Sequence, residues 1–205
     1  MTTRSGPTRV VLFDLGGVLV ELGGVAMFGD WIGESDEAEI WRRWLHCPWV
    51  RRYERGHCST EEFARGMVES WSLPLEPDAF LGFFRSWVKG LYEGAGELVG
   101  SLPPQVTRAC FSNTNALHWD DVFHAFGFDE MFEQSFLSYR MGLVKPDQAA
   151  FEHVVRTLGV DPGEVLFLDD NAINVEGARA AGLDAHRAVG VAGARRILGE
   201  RGLLG

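Results

Sequence analysis

The sequence predicts an α/β protein: a doubly wound parallel sheet with a helical domain inserted directly after its first strand. Three observations predict this. Short runs of β-branched and aromatic residues alternate with segments of helical periodicity, as in a parallel sheet with right-handed crossovers. Three of the apolar runs end in polar clusters, at Asp14, at Ser112-Asn113 and at Asp169-Asp170. Between the first run and the second, from about Glu21 to Tyr92, the apolar residues take helical spacing and no convincing strand appears. The expected division is an α/β core of residues 1–20 and 93–205, with a helical unit at 21–92.

The first strand is Val10-Val11-Leu12-Phe13, followed at once by Asp14, Leu15 and the glycine pair Gly16-Gly17. Its composition is that of a strand buried on both faces. A carboxylate at the end of such a strand is costly unless a cation or a donor meets it. The glycines let the chain turn sharply and approach a ligand, and at Gly16 this can require a positive φ. Taken alone, a strand ending in an Asx-turn explains the stretch equally well.

In the inserted region, Ile40, Trp41, Trp44 and Leu45 form one helical set. Phe63, Met67 and Val68 form another, and Phe80, Phe83, Phe84, Trp87 and Val88 a third. Ser59 or Thr60, with Glu61 and Glu62 behind it, signals a helix start. Pro74 and Pro77 punctuate between helices. Six of the seven tryptophans (Trp31, Trp41, Trp44, Trp49, Trp71 and Trp87) fall in this region. Bundle core is their plain explanation, and a ligand cleft for one or two of them is the sharper one. A solvated helix face likewise accounts for most of the basic run Arg42, Arg43, Arg51, Arg52 and Arg55. Arg55 stands apart because it precedes Gly56, a turn residue, and could reach a cleft.

The chain then returns to alternation. A helix at Glu97-Leu98-Val99 is closed by Pro103-Pro104, and a strand runs from Val106 to Phe111. Helical spacing from Leu117 to Phe126 precedes a short strand at Phe136 to Tyr139. Pro146-Asp147 opens a helix through Leu158. The strand Val165 to Leu168 leads to a helix through Ala181, stopped by Gly182. A last strand, Ala185 to Val189, is followed by a helix from about Ala192.

The 205 residues carry a formal net charge of −10, which argues against nucleic acid or an anionic membrane as the main partner. No apolar run approaches the ~18 residues of a membrane span. Met1 to Thr8 reads as a short polar tail rather than a signal peptide. The three cysteines, Cys47, Cys58 and Cys110, have no metal-ligand spacing, and a reducing cytoplasm fits them best. Cys110 sits in an apolar run as a small buried hydrophobe.

In a parallel sheet the polar strand ends share one edge, where ligands bind. Three converging carboxylates would repel; at ~4 Å and an effective dielectric of about 20, each like pair costs several kcal/mol. A divalent cation removes the objection, and an oxygen-only donor set with no His or Cys suits Mg²⁺. Lys145 adds a positive charge, and Ser112 and Asn113 add neutral donors for an anion. The four clusters in this order describe a phosphate site beside a carboxylate.

This order resembles the haloacid dehalogenase (HAD) superfamily of hydrolases over nearly the whole chain. Phe13-Asp14-Leu15-Gly16-Gly17-Val18 is similar to its first motif and Phe111-Ser112-Asn113-Thr114-Asn115 to its second. Lys145-Pro146 resembles the third and Leu168-Asp169-Asp170-Asn171 the fourth, while the helical insertion resembles the family's cap on a Rossmann-like core. A closer resemblance is to bacterial sugar-phosphate phosphatases of the glucose-1-phosphate phosphatase type. It rests also on Arg55-Gly56, His118, Met141-Gly142-Leu143-Val144, Asn174 and Glu176-Gly177. The resemblance implies a Mg²⁺-dependent phosphatase of a small phosphorylated metabolite, with Asp14 as nucleophile through an aspartyl-phosphate. It further implies metal ligation by Asp14, the Gly16 carbonyl and Asp170, with Asp169 direct or behind them. Ser112 and Asn113 would hold phosphate oxygens, and Lys145 would neutralise nucleophile and phosphate.

One departure stands out. Most family phosphatases carry a second Asp two residues after the nucleophile as general acid and base; this chain has Gly16. Candidates to replace it are His118, Glu21 and Glu54. The plainer account of each is structural: a satisfied histidine near a helix start, and solvated surface carboxylates. Two further readings follow from Gly16. A 2-haloacid dehalogenase releases halide without protonation, although its metal-free site would not tolerate Asp169 and Asp170 together. A phosphate-ligand binding protein with little turnover is the other.

Overall fold

The computed structural model describes residues 7–121 and 123–204, so most of the expected polar tail, Met1 to Gly6, lies outside the described residues. The strands are Val10–Phe13 (β1), Val20–Leu22 (β2), Val88–Leu91 (β3), Thr107–Ser112 (β4), Gln134–Leu137 (β5), Val165–Asp169 (β6) and Asp184–Arg187 (β7). Five of them form one sheet in the order β5-β4-β1-β6-β7, and every pairing in it is parallel.

Burial on both faces explains the unbroken apolar runs. Val11, Phe13, Cys110, Leu166 and Leu168 face one core, whereas Val10, Leu12, Ala109, Phe111, Val165 and Phe167 face the other. This is the period-two alternation of a strand. β1 is central, and the chain builds the sheet first to one side of it and then to the other. That makes the end of β1 a topological switch point, where open α/β sheets form their ligand crevice. Phe13 stands beside Cys110 on β4 and Leu168 on β6, so the next residues, Asp14, Phe111 and Asp169, reach the carboxyl edge together.

Five helices occupy the chain between β2 and β3: Val25–Ile32, Glu37–His46, Pro48–Glu54, Thr60–Trp71 and Pro77–Arg85. They have their own core, in which Phe28, Trp44, Phe63, Met67, Phe80, Phe84 and Trp87 are buried. The Ser59 start signal is a full capping box: the Glu62 N–H donates to Ser59 Oγ at 3.2 Å and the Ser59 N–H to Glu62 Oε2 at 2.8 Å. Of the basic run, Arg43 lies over the Trp71 ring and Arg52 over Trp49.

The structure corrects the sequence reading at several places. Val88 is not on a helix: β3 pairs antiparallel with β2, and the helical unit leaves and re-enters the core through this two-stranded ribbon. Strands of three and four residues, with a register shift between Glu21 and Leu22, are too short for alternation to reveal. β5 ends at Leu137, and Ser138–Met141 is a helical turn. The helix expected to open at Pro146 begins at Gln148, with Asp147 at its N-cap. Asp147 makes no capping bond because its carboxylate is held by Arg51 and Arg55. Finally, Gly17 and not Gly16 has the positive φ, at 71°.

Candidate active site

Asp14 leaves β1 with its N–H donating to the Leu168 carbonyl at 2.8 Å, so the β1–β6 ladder carries directly into the site. Its Oδ1 accepts from the Leu15 N–H at 2.8 Å and lies 2.8 Å from Lys145 Nζ. Lys145 is 1% exposed, and its ammonium also donates to Asp169 Oδ2 at 2.7 Å and to the Phe111 carbonyl at 2.9 Å. Burial works against that charge, yet Asp14 and Asp169 hold the ammonium above its ordinary range.

Asp169 is wholly buried and its oxygens are engaged. The Asn171 N–H donates to Oδ1 at 2.8 Å, and Asn174 Nδ2 lies 3.1 Å from each carboxylate oxygen. Asp170 is less engaged than Asp169 and lines the cavity. Gly17 makes room for it. A Cβ at Gly17 would come 2.4 Å from Asp170 Oδ2, so this position excludes side chains both by space and by φ.

Ligand oxygens of Asp14, Asp169 and Asp170 all lie within 4.8 Å of one another. Burial, helped by the charges of Asp169 and Asp170, raises the Asp14 carboxyl well above the usual range even with Lys145 opposing. Burial and Asp169 push Asp170 up to about 6. Three carboxylates against one ammonium leave the cluster short of positive charge, and a divalent cation fits that deficit. The donors also fit: carboxylate oxygens, plus the Gly16 carbonyl, which accepts no backbone hydrogen bond among the described residues.

Asp14 and Asp170 of this cluster line a cavity of about 720 Å³, with Asp169 buried behind them. Ser112, Asn113, Thr114 and Lys145 line it from the core, and Trp41, Trp44, Phe84 and Trp87 wall it from the helical insertion. Trp44 and Trp87 therefore serve both as bundle core and as cavity wall. The Ser112 hydroxyl makes no hydrogen bond among the described residues. The Asn113 side chain is engaged with the Lys145 backbone, donating to its carbonyl at 3.0 Å and accepting from its N–H at 2.9 Å. This ties the end of β4 to the loop that delivers Lys145.

Arg55 does not line the cavity; with Arg51 it forms an ion pair to Asp147 between insertion and core, at 2.5 and 2.9 Å. His118 is buried, with its N–H on Asn115 Oδ1 at 3.0 Å and its Nε2 2.8 Å from the Phe84 carbonyl, the satisfied histidine of the plainer account. Glu21 is exposed on β2. Glu54 is the correction: it is no solvated surface carboxylate but half-buried in the cavity wall, and burial pushes its carboxyl up to about 7. Thr114 and Asn174, present in the motifs that carry the resemblance but given no role there, also line the cavity. Each holds a buried oxygen, Thr114 Oγ1 and Asn174 Oδ1, with no hydrogen-bond partner among the described residues.

The chain is similar to several known proteins. The chain superposes on a HAD family enzyme of Bacteroides thetaiotaomicron, solved as a complex with magnesium and inorganic phosphate, with a TM-score of 0.71 and 26% identity over 88% of this chain and 94% of that one. A HAD-like family hydrolase of Porphyromonas gingivalis gives a TM-score of 0.74 at 24% identity, over 94% and 98% of the two chains. The L-2-haloacid dehalogenase of Xanthobacter autotrophicus gives 0.64 at 24% identity, over 88% and 77%. The last two are likenesses of fold alone. Among curated proteins, drimenol cyclase of Aspergillus calidoustus is 25% identical over 189 residues, which is 85% of this chain but 33% of that protein. A phosphatase of Mycobacterium tuberculosis is 45% identical over 49 residues, 24% of this chain and 23% of its own length. The matched region thus spans a third or less of these curated relatives. The haloacid dehalogenase-like hydrolase family model fits residues 8–182. A match of that extent, on a chain whose carboxylates and lysine gather at the switch point of a parallel sheet, makes it a member of the haloacid dehalogenase-like hydrolases.

Proposed function

We propose that the chain is a Mg²⁺-dependent phosphatase acting on a small phosphorylated metabolite, with a sugar phosphate as the favoured class. The observation that carries the reading is the cluster itself: Asp14, Asp169 and Asp170 within 4.8 Å, around one buried lysine. Asp14, Asp170 and the Gly16 carbonyl would hold the metal. Asp169 stands behind them, because its oxygens already receive Lys145, Asn171 and Asn174. The bound ion would supply charge to the phosphoryl oxygens and keep Asp14 ionised at neutral pH.

Asp14 is the nucleophile in this proposal. One of its oxygens is fixed by the Leu15 N–H and Lys145, which leaves the other to attack phosphorus. Lys145 stabilises charge on the transferring group. The Ser112 hydroxyl donates to a phosphate oxygen, and Asn113 acts by fixing the Lys145 loop. The aromatic wall of Trp41, Trp44, Phe84 and Trp87 would receive the body of the substrate, and tryptophan faces accept the C–H faces of a sugar ring. The dehalogenase reading draws on Gly16, but Asp170 in the cavity leaves a metal-free site with an uncompensated carboxylate.

Phosphate release from a panel of sugar phosphates and nucleotides, beside chloride release from 2-haloacids, tests the proposal. Turnover of phosphate esters is expected with Mg²⁺, lost with chelator and lost in Asp14→Asn. Chloride release in excess chelator would overturn it.

A further inference from the structure

We infer that Glu54, carried by the helical insertion, is the proton donor and acceptor that Gly16 does not provide; this rests on the phosphatase reading. Glu54 is the last residue of the helix Pro48–Glu54. Val50 and Tyr53 anchor that helix in the core of the insertion. Arg51 and Arg55 tie its end to Asp147, two residues beyond Lys145 in the chain. Insertion and core are therefore pinned together beside the cluster, and Glu54 shares the cavity with Asp14, Lys145 and Asp170.

The neighbouring cations do not neutralise Glu54. Arg51 and Arg55 flank it in sequence, but both guanidinium groups are engaged with Asp147. The Glu54 carboxyl itself makes no hydrogen bond or ion pair among the described residues. Burial raises it to about 7, against the pull of Lys145, Arg51 and Arg55. An acid poised near the working pH is the most effective proton-transfer group. The other titratable and charged groups lining the cavity are Asp14, Asp170, Lys145, His118 and Tyr92, with Arg42, Arg187 and Glu37, the last exposed at the first residue of its helix. His118 is engaged with the Phe84 carbonyl, and burial pushes the Tyr92 hydroxyl up, away from use as an acid.

The steps balance. An Asp14 oxygen bonds to phosphorus as the ester P–O bond breaks, and the Glu54 carboxyl proton passes to the departing oxygen to give the alcohol. Water then attacks the aspartyl-phosphate at phosphorus and gives its proton to the Glu54 carboxylate. The Asp14–phosphorus bond breaks, releasing inorganic phosphate and regenerating both side chains.

Wild type and Glu54→Gln are compared with Mg²⁺ present on an alkyl phosphate and on 4-nitrophenyl phosphate, whose leaving group departs without a proton. In parallel, the Glu carboxyl resonances of both proteins are titrated by ¹³C NMR. Glu54→Gln is expected to lose about 10²-fold or more in kcat on the alkyl ester and under about tenfold on the aryl ester. The alkaline limb near neutral pH should vanish from its alkyl profile, together with one resonance titrating near neutrality. Equal losses on both esters, a persisting alkaline limb, or a Glu54 resonance titrating in the ordinary carboxylate range would overturn the inference while wild-type turnover stands. Wild type that releases phosphate from neither ester would instead remove the phosphatase reading, and this inference with it.

Discussion

Replacing Lys145 with Met isolates what the buried ammonium does. The substitution keeps the length and bulk of the side chain and removes its charge. In wild type the ammonium lies 2.8 Å from Asp14 Oδ1 and 2.7 Å from Asp169 Oδ2. At those separations and an effective dielectric of about 20, each attraction is about 6 kcal/mol before desolvation is subtracted. Taking the ammonium out of water cancels much of that gain. Deleting it leaves two buried carboxylates facing each other, and breaking a buried pair in this way costs about 3–5 kcal/mol. For a chain of this length that corresponds to a fall in Tm of about 6–20 °C. The pH dependence has a definite sign. Asp14 already has a folded-state pKa above its unfolded one, and loss of the cation raises it further. The penalty is absent below the unfolded-state pKa, where the carboxyl is protonated in both states, and grows as pH rises from there to the folded-state pKa. In wild type Lys145 stays charged across the same range and opposes the rise in the Asp14 pKa, so the extra deficit of the variant builds between the two folded-state values. Urea unfolding in chelator at about pH 5 and about pH 8 should therefore give a smaller deficit at the lower value and a larger one at the higher. A deficit below about 1 kcal/mol, or one equal at both pH values, would refute the assignment of Lys145 as the charge that holds the cluster together.

Gly16→Asp is expected to fold, because Gly16 does not need a positive φ and its Cβ would meet only Leu22 Cδ1, at 2.9 Å, on a flexible side chain. In a Glu54→Gln background it should restore hydrolysis of alkyl phosphates more than of aryl phosphates, and no differential restoration in steady-state rates would count against the geometry. Asp147→Asn should cost about 1 kcal/mol or less in urea unfolding, since Arg51 and Arg55 pair with it at a partly exposed site. Its larger effect should be faster amide exchange in the helix Pro48–Glu54 and a lower kcat/KM, and unchanged exchange there would show that the clamp does not hold the insertion down.

The α/β class and the helical insertion were legible because burial leaves a strong mark: the core strands are apolar on both faces, and the inserted helices carry an aromatic stripe. The ribbon of β2 and β3 was not legible, because strands of three and four residues with a register shift leave no periodicity to count. The site divides along the same line. Asp14, Ser112 and Asp170 could be named because each is a polar residue breaking an apolar run, and the parallel sheet forces such breaks to one edge. Asn113 was named by that rule too, yet its amide is engaged with the Lys145 backbone, a contact between loops that no local pattern carries. Arg55 and Glu54 are neighbours whose environments differ in the opposite sense from their sequence signals. The arginine beside a glycine looked free to reach the cavity, and the glutamate at a helix end looked solvated. Which of the two enters the cavity is decided by Asp147, which holds the arginines at the boundary of insertion and core and leaves the carboxylate between them without an ion pair among the described residues. A side chain's role is thus set here by a competitor almost a hundred residues away in the chain, 92 from Arg55 and 96 from Arg51. Sequence reasoning finds the groups that chemistry requires; which of them is left unpaired depends on the packing of insertion against core.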